Sequence, residues 1–227
     1  MTGLIAALDT TDVAQAASWA EQVAPYCGLL KLGLSYFLAN GAGGLRAVGA
    51  RPLFLDFKLH DIPNTVAGAV RAMLPLQPRM LTLHAAGGAA MVTAARRAAE
   101  QAGAERPLLL AVTVLTSLDA AALAATGVTL PPREQVLRLA RLAMDAGADG
   151  LVCSAHEVPL LRAELDHTAV LVVPGIRPAG FPSGDQARTM TPREAAAAGA
   201  DWLVVGRPIT TAADPAAAAA AIAAELA

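Results

Sequence analysis

Lysine is nearly missing from this chain. Of its seventeen Lys and Arg residues only two, Lys31 and Lys58, are lysine, so almost every cation is a guanidinium. A guanidinium hardly ever gives up a proton, whereas an ammonium is compact and shifts its pKa readily. A chain this poor in lysine directs attention to the two it keeps. The plainer account is a chance remnant of an Ala/Arg-rich composition. The neighbours of Lys58 favour a chemical one, with Asp56 two residues before it and Asp61 three after.

Other scarcities exclude whole classes of function. Aromatic residues make up 4% of the chain, too few for a base-stacking surface. A net charge of −2 offers no bulk attraction for nucleic acid or anionic membrane. The two cysteines, Cys27 and Cys153, stand far apart in apolar runs without CxxC spacing, which predicts buried free thiols in a reducing compartment. No stretch has the roughly 20 uninterrupted apolar residues of a membrane span. The N-terminus lacks a basic region and meets Asp9 before a signal-length apolar run develops. A cytoplasmic protein that binds neither membrane nor nucleic acid is expected.

What the chain does contain is a repeat of short apolar runs and longer alanine-rich, helix-periodic stretches. Strands are predicted at 4–9, 28–33, 52–59, 80–84, 108–115, 150–154, 169–174 and 202–206. Helices are predicted at 13–23, 66–74, 89–102, 134–146 and 192–198, with a terminal helix over 216–227. Ala-Gly-Ala at 102–104, 146–148 and 198–200 suits helix ends, because glycine takes the left-handed conformation that turns the chain into the next strand. Strands that are apolar on both faces belong in a parallel sheet covered on both sides. Eight such units in 227 residues predict an α/β fold, a single (β/α)8 TIM barrel over residues 1–227. An open doubly wound sheet is the alternative, but no GxGxxG follows the first strand.

Chemistry in such a barrel sits at the C-terminal ends of the strands. Polar residues gather at those ends: Asp9, Lys31, Asp56 with Lys58, His84, Thr113 and Thr116, Ser154, Arg177 and Arg207. Strand three is the most informative. Asp56 and Lys58 share one face while Phe57 points the other way, toward the helices, so the charged pair is expected to enter the barrel mouth. Asp61 follows in the loop, and Pro63 suits the first turn of a helix. Buried charges must neutralise one another, and an internal salt bridge that only braces the loop is the bland alternative. Lys31 on the neighbouring strand adds a second cation, and the set resembles an array built to act on an ionic substrate.

The last two strand ends suggest an anion site. Pro174-Gly-Ile-Arg177 closes strand seven and Val205-Gly206-Arg207-Pro208 closes strand eight, the usual phosphate position of this fold. Gly206 permits close backbone approach and Arg207 bidentate binding. The Gly- and Pro-rich stretch 177–188 between them has the composition of a lid; an ordinary surface loop is the alternative.

The run Asp56-Phe-Lys58-Leu-His60-Asp61-Ile62-Pro63-Asn64-Thr65 closely resembles the signature of the orotidine 5′-phosphate decarboxylase family. Ala6-Ala-Leu-Asp9, Lys31-Leu-Gly33, Val112-Thr-Val-Leu-Thr116-Ser117, Pro174-Gly-Ile-Arg177, Gly184-Asp-Gln186 and Val205-Gly-Arg207-Pro208 follow in the family's order. The resemblance spans nearly the whole chain and is closest to the shorter bacterial branch. It implies that orotidine 5′-monophosphate (OMP) is decarboxylated to uridine 5′-monophosphate (UMP), the last step of pyrimidine nucleotide synthesis, without metal or organic cofactor. It makes Lys58 the proton donor to C6 of the pyrimidine. It places Asp56 beside the departing carboxylate, with Lys31 and Asp61 completing the alternating charges. Asp9 and Thr65 are then expected at the ribose, Thr116 at the pyrimidine, and Gln186 between base and phosphate. Arg177 joins the ligand-contacting set, and Gly206 with Arg207 holds the phosphate. The resemblance further implies a homodimer in which Asp61 reaches into the partner's site.

The residues and that chemistry agree. Loss of CO2 from C6 leaves charge in an in-plane orbital with little resonance relief, so fixed protein charges must supply much of the stabilisation. At about 4 Å, unit charges interact by roughly 4 kcal/mol at an effective dielectric near 20, which is almost three decades in rate if realised only in the transition state. Asp56 is read as holding Lys58 in position rather than straining the substrate. Two rivals remain open: a Mg2+-dependent barrel decarboxylase or aldolase for sugar phosphates, disfavoured by the cation at Lys31, and a non-catalytic nucleotide sensor. The roles of His60, His84 and Ser154 are not legible beyond a supporting one.

Overall fold

Eight parallel strands close on one another in chain order in a computed structural model of the protein, which describes residues 2–165, 167–182 and 189–226. They are β1 (Gly3–Ala7), β2 (Leu29–Gly33), β3 (Leu53–Leu59), β4 (Met80–His84), β5 (Leu108–Val112), β6 (Gly150–Val152), β7 (Val170–Val173) and β8 (Trp202–Val205). The last strand pairs with the first, Gly3 opposite Trp202 and Ala6 opposite Val205, so no edge is left open. The architecture is the (β/α)8 barrel expected from the repeat.

Between the strands run α1 (Val13–Val23), α2 (Leu34–Ala47), α3 (Pro63–Met73), α4 (Ala89–Ala99), α5 (Ala120–Ala125), α6 (Pro132–Asp145), α7 (Val158–Glu164) and α8 (Pro192–Ala197). The one-turn α9 (Arg207–Thr210) and the alanine-rich α10 (Pro215–Ala224) follow β8. Their starts are written in the sequence. The Asp12, Asp119 and Asp214 side chains accept from backbone N–H groups three residues on, and Thr191 with Glu194 forms a reciprocal cap before α8. No helix among the described residues is long and apolar enough to cross a membrane.

Period-two alternation sorts the strands' side chains into two layers. Ile5, Ala7, Leu29, Phe54, Met80, Leu110, Val172 and Val204 fill the barrel interior. Leu4, Ala6, Leu30, Leu32, Leu55 and Phe57 belong to the larger core between strands and helices. Phe57 meets the ring of Phe37 on α2 with centroids 4.7 Å apart. That outward seat of Phe57 leaves Asp56 and Lys58 turned to the interior, the parity expected from sequence.

The two ends of the barrel use polar residues differently. At the N-terminal end, Asp149 and Asp201 each follow an Ala-Gly-Ala turn whose glycine has positive φ, +98° at Gly147 and +103° at Gly199. Asp149 accepts from the Leu109 N–H and from Arg96 and Arg106; Asp201 accepts from the Leu171 N–H and from Arg162. These pairs fasten adjacent strands. The unabsorbed polar residues lie at the opposite end.

Two differences from expectation have simple causes. Five strands stop one to three residues short of their apolar runs, because residues such as Leu8, Val114 and Cys153 stay buried while leaving the ladder to form the mouth. Helix α2 was implied by the repeat but not located, since its sequence carries three glycines and bends at Gly41. Packing overrides propensity there: Tyr36 is buried and its hydroxyl donates to the Gly44 carbonyl at 2.7 Å.

Candidate active site

A cavity of about 260 Å3 opens at the C-terminal mouth of the barrel. Asp9, Lys31, Asp56, Lys58, Thr116, Arg177, Gly206 and Arg207 all line it, although they come from six separate strand ends. Its apolar wall is made by Phe54, Val112, Val114, Val152 and Val204. The cavity therefore combines charged groups with apolar side chains of the barrel.

The charges form a chain across the first three strands. Lys31, 8% exposed, places its ammonium 3.0 Å from Asp9 Oδ1 and 3.7 Å from Asp56 Oδ2. The Lys58 ammonium donates to Asp56 Oδ1 at 2.7 Å. Asp56 is thus gripped by one ammonium at each oxygen. Burial pushes its carboxyl upward, but the charges of Lys31 and Lys58 and the hydrogen bonds from Lys58 and Thr82 outweigh burial and hold it below the ordinary carboxylate value. The carboxylate is ionised at neutral pH, and it fixes both ammonium groups.

Strand β3 is distorted where it carries these groups. Leu55 pairs with Leu81 and Leu59 with Leu83, so three residues of β3 stand opposite the single residue Thr82 of β4. Lys58 sits in this bulge with φ +49°, a left-handed conformation that non-glycine residues seldom adopt. The Thr82 hydroxyl accepts from the Lys58 N–H at 2.9 Å and donates to Asp56 Oδ1 at 3.0 Å. Thr82 did not emerge from the sequence reading. The signal available was its parity: it lies two residues from Met80, whose side chain points into the barrel.

Behind this group the rings of His60 and His84 meet at 5.3 Å between centroids. Burial, then His60 and Lys58, lowers the His84 pKa against the opposing pull of Asp56, so His84 is neutral at physiological pH. His60, His84, Thr113 and Ser154 do not line the cavity.

At the far rim, Arg177 is 8% exposed, donates to the Ile176 carbonyl at 2.9 Å and lies 5.9 Å from the centre of the Phe181 ring. The Arg177 N–H donates to the Met190 carbonyl, closing the base of the loop after β7. Gly206 precedes α9 as its N-cap, and Arg207 opens that helix. These residues place cationic groups across the mouth from Lys58.

Three expected site residues stand apart. Asp61 and Thr65 are exposed at the start of α3 and do not line the cavity, and the Asp61 carboxylate accepts from the Ile62 N–H at 2.6 Å. Gln186, with residues 183–188 of the expected lid, lies outside the described residues.

The family model for "Orotidine 5'-phosphate decarboxylase / HUMPS family" matches residues 2–222. A curated relative from Gluconobacter oxydans (strain 621H), named orotidine 5′-phosphate decarboxylase, is 56% identical over 230 residues, covering 100% of this chain and 98% of that one. The protein of the same name from Anaeromyxobacter sp. (strain K) is 57% identical over 225 residues, covering 98% and 97%. The crystal structure of orotidine 5′-phosphate decarboxylase from Lactobacillus acidophilus superposes with a TM-score of 0.88 at 36% identity, covering 100% of this chain and 99% of that one. A barrel whose mouth carries two interlocked Lys–Asp pairs, matched in sequence from end to end, belongs to the orotidine 5′-phosphate decarboxylase / HUMPS family.

Proposed function

We propose that this chain, acting as one catalytic barrel in the cytoplasm, decarboxylates OMP to UMP and CO2 with Lys58 as the proton donor. The C6–carboxylate bond breaks heterolytically, CO2 departs, and the electron pair stays on C6 in the plane of the ring. The Lys58 ammonium stabilises that charge and transfers its proton to C6; the neutral amine then regains a proton from solvent. One observation carries this reading: the Lys58 ammonium enters the cavity tied at 2.7 Å to a carboxylate that Lys31 also grips. Its position is therefore set before substrate arrives, and preorganised charge needs little reorganisation when the carbanion forms.

The remaining residues have matching tasks in this reading. Gly206 and Arg207 hold the phosphate, Asp9 and Thr65 the ribose, and Thr116 the base; Gln186 spans base and phosphate, and Arg177 joins the ligand-contacting set. Phosphate binding at the far rim supplies energy that helps order the reacting end. No resident metal or organic cofactor is required. The donor chemistry agrees, since Asp9 and Asp56, the carboxylates that a divalent cation would seek, are already engaged by Lys31 and Lys58.

A homodimer completes the site. Asp61 and Thr65 flank Ile62, which is 66% exposed, and Leu38 on α2 is 78% exposed. Isolated exposed apolar residues are ordinary, but Ile62 adjoins Asp61 and lies within one turn of Thr65, two expected site residues that do not line their own chain's cavity. In this reading a second copy covers the start of α3, and Asp61 acts in the site of the other copy.

The test is the fall in ultraviolet absorbance as OMP becomes UMP, followed with purified protein in EDTA. Turnover in chelator supports the proposal. A Mg2+ requirement, or turnover of a sugar phosphate instead, favours the aldolase-like rival, and binding of OMP without turnover favours a sensor.

A further inference from the structure

Thr82 has no part in the roles assigned so far, yet it bonds both the Asp56 carboxylate and the backbone N–H of Lys58. It is completely buried, and it is the one residue of β4 opposite the three-residue bulge of β3. In a regular parallel ladder the Lys58 N–H would donate to a backbone carbonyl of the neighbouring strand. Here the register shift removes that partner, and the Thr82 hydroxyl accepts the bond at 2.9 Å. Having accepted, the hydroxyl has one proton to give, and it gives it to Asp56 Oδ1 at 3.0 Å. The same oxygen receives the Lys58 ammonium at 2.7 Å. Lys58 main chain, Thr82, Asp56 and the Lys58 side chain thus close a ring.

We infer that Thr82 is a positioning residue for decarboxylation, locking the Lys58 backbone and the Asp56 carboxylate to each other so that the ammonium is aimed at the reacting carbon. The inference rests on Lys58 being the proton donor. Two physical arguments support it. Lys58 holds a left-handed φ of +49°, a conformation that non-glycine residues keep only when surrounding contacts enforce it. The bond from its N–H to Thr82 is such a contact. In addition, a β-branched side chain is stiff at χ1, so threonine holds its hydroxyl at one angle where serine would share it among several. Donation from Thr82 fixes which oxygen of Asp56 meets Lys58 and leaves the other facing Lys31, 3.7 Å away.

The experiment compares Thr82→Val, Thr82→Ser and Thr82→Ala with the wild type and Lys58→Ala, measuring kcat, KM for OMP and thermal midpoint. Thr82→Val is expected to lower kcat by about 10- to 100-fold, the value of a hydrogen bond to a charged group, with KM changed less than about threefold. Thr82→Ser should keep kcat within about fivefold of wild type, because it retains the hydroxyl. Serine and alanine differ by one oxygen and both lose the methyl, so that pair isolates the hydroxyl even if valine folds poorly. Equal kcat in the serine and alanine variants, with Lys58→Ala inactive, would overturn the inference alone. A wild type inert toward OMP, or an active Lys58→Ala, would overturn the assignment of Lys58 and the inference with it.

Discussion

Lys58 and Asp56 are two residues apart on one strand, and their side chains meet at 2.7 Å where β3 bulges. In a regular strand, residues at i and i+2 stand about 6–7 Å apart at Cα and run parallel. Here Lys58 has a left-handed φ of +49° and its ammonium reaches the Asp56 carboxylate. The charge pair and the distorted backbone are one feature.

Lys58→Ala should abolish that feature's chemistry while sparing the fold, since Lys58 is partly exposed and contributes little to the core. We expect kcat to fall by at least about 10³-fold with UMP binding within an order of magnitude of wild type. Steady-state kinetics and calorimetric titration decide it; substantial residual turnover would remove Lys58 as proton donor.

If Asp61 acts across a dimer, two dead variants can rescue each other. Mixing Lys58→Ala with Asp61→Ala subunits should create heterodimers in which one site has both residues intact. Up to about a quarter of wild-type activity is expected after random subunit exchange. Verified mixed dimers without any recovery would show that Asp61 serves its own chain.

Arg207→Ala should raise KM for OMP by roughly 100-fold, consistent with loss of a charge-assisted contact to phosphate. Against orotidine, which has no phosphate, the same variant should differ from wild type by less than about twofold. An equal loss on both substrates would mean that Arg207 does not bind the phosphate.

The pH dependence of stability follows from Asp56. Its folded pKa lies below the ordinary 3.8, because the charges of Lys31 and Lys58 outweigh burial. A depressed carboxyl contributes stability above its unfolded pKa and loses it as pH falls through the folded value. Asp56→Asn should therefore be less stable than wild type by roughly 2–4 kcal/mol at neutral pH. That gap should hold down to about pH 5 and close below about pH 4. Urea titrations across this range measure it, and a gap already closing between about pH 7 and 6 would point to another group.

Both cysteines should be silent toward alkylation in the native protein. Burial pushes the Cys27 thiol up to about 12 and raises Cys153 further, so neither forms the reactive thiolate at physiological pH. Mass spectrometry after iodoacetamide should find modification only once urea unfolds the chain. Rapid native labelling of Cys153 would mean that the cavity wall opens.

Much of the site was legible because strand parity is local. Phe57 had to face the helices, so Asp56 and Lys58 had to face inward, and the sites of Lys31, Arg177 and Arg207 followed from their places at strand ends. Helix α2 was hidden because its glycines weaken the propensity signal while its tertiary contacts do not appear in sequence. Thr82 was hidden for a related reason: a threonine within an apolar strand reads as a β-former, and nothing local says which neighbour its hydroxyl meets.

The sequence alone determined the eightfold alternation and the inward face of β3, because each depends on residues close together in the chain; it pointed to a barrel, but closure is a pairing of β1 with β8 across the whole chain. Tertiary structure decided that β3 loses register against β4, that Thr82 fills the gap, and that Asp61 and Thr65 turn away from their own cavity. Those outcomes depend on which groups from distant segments meet in the packed barrel, and hydrogen bonds between Lys58, Thr82 and Asp56 exist only once the strands have closed.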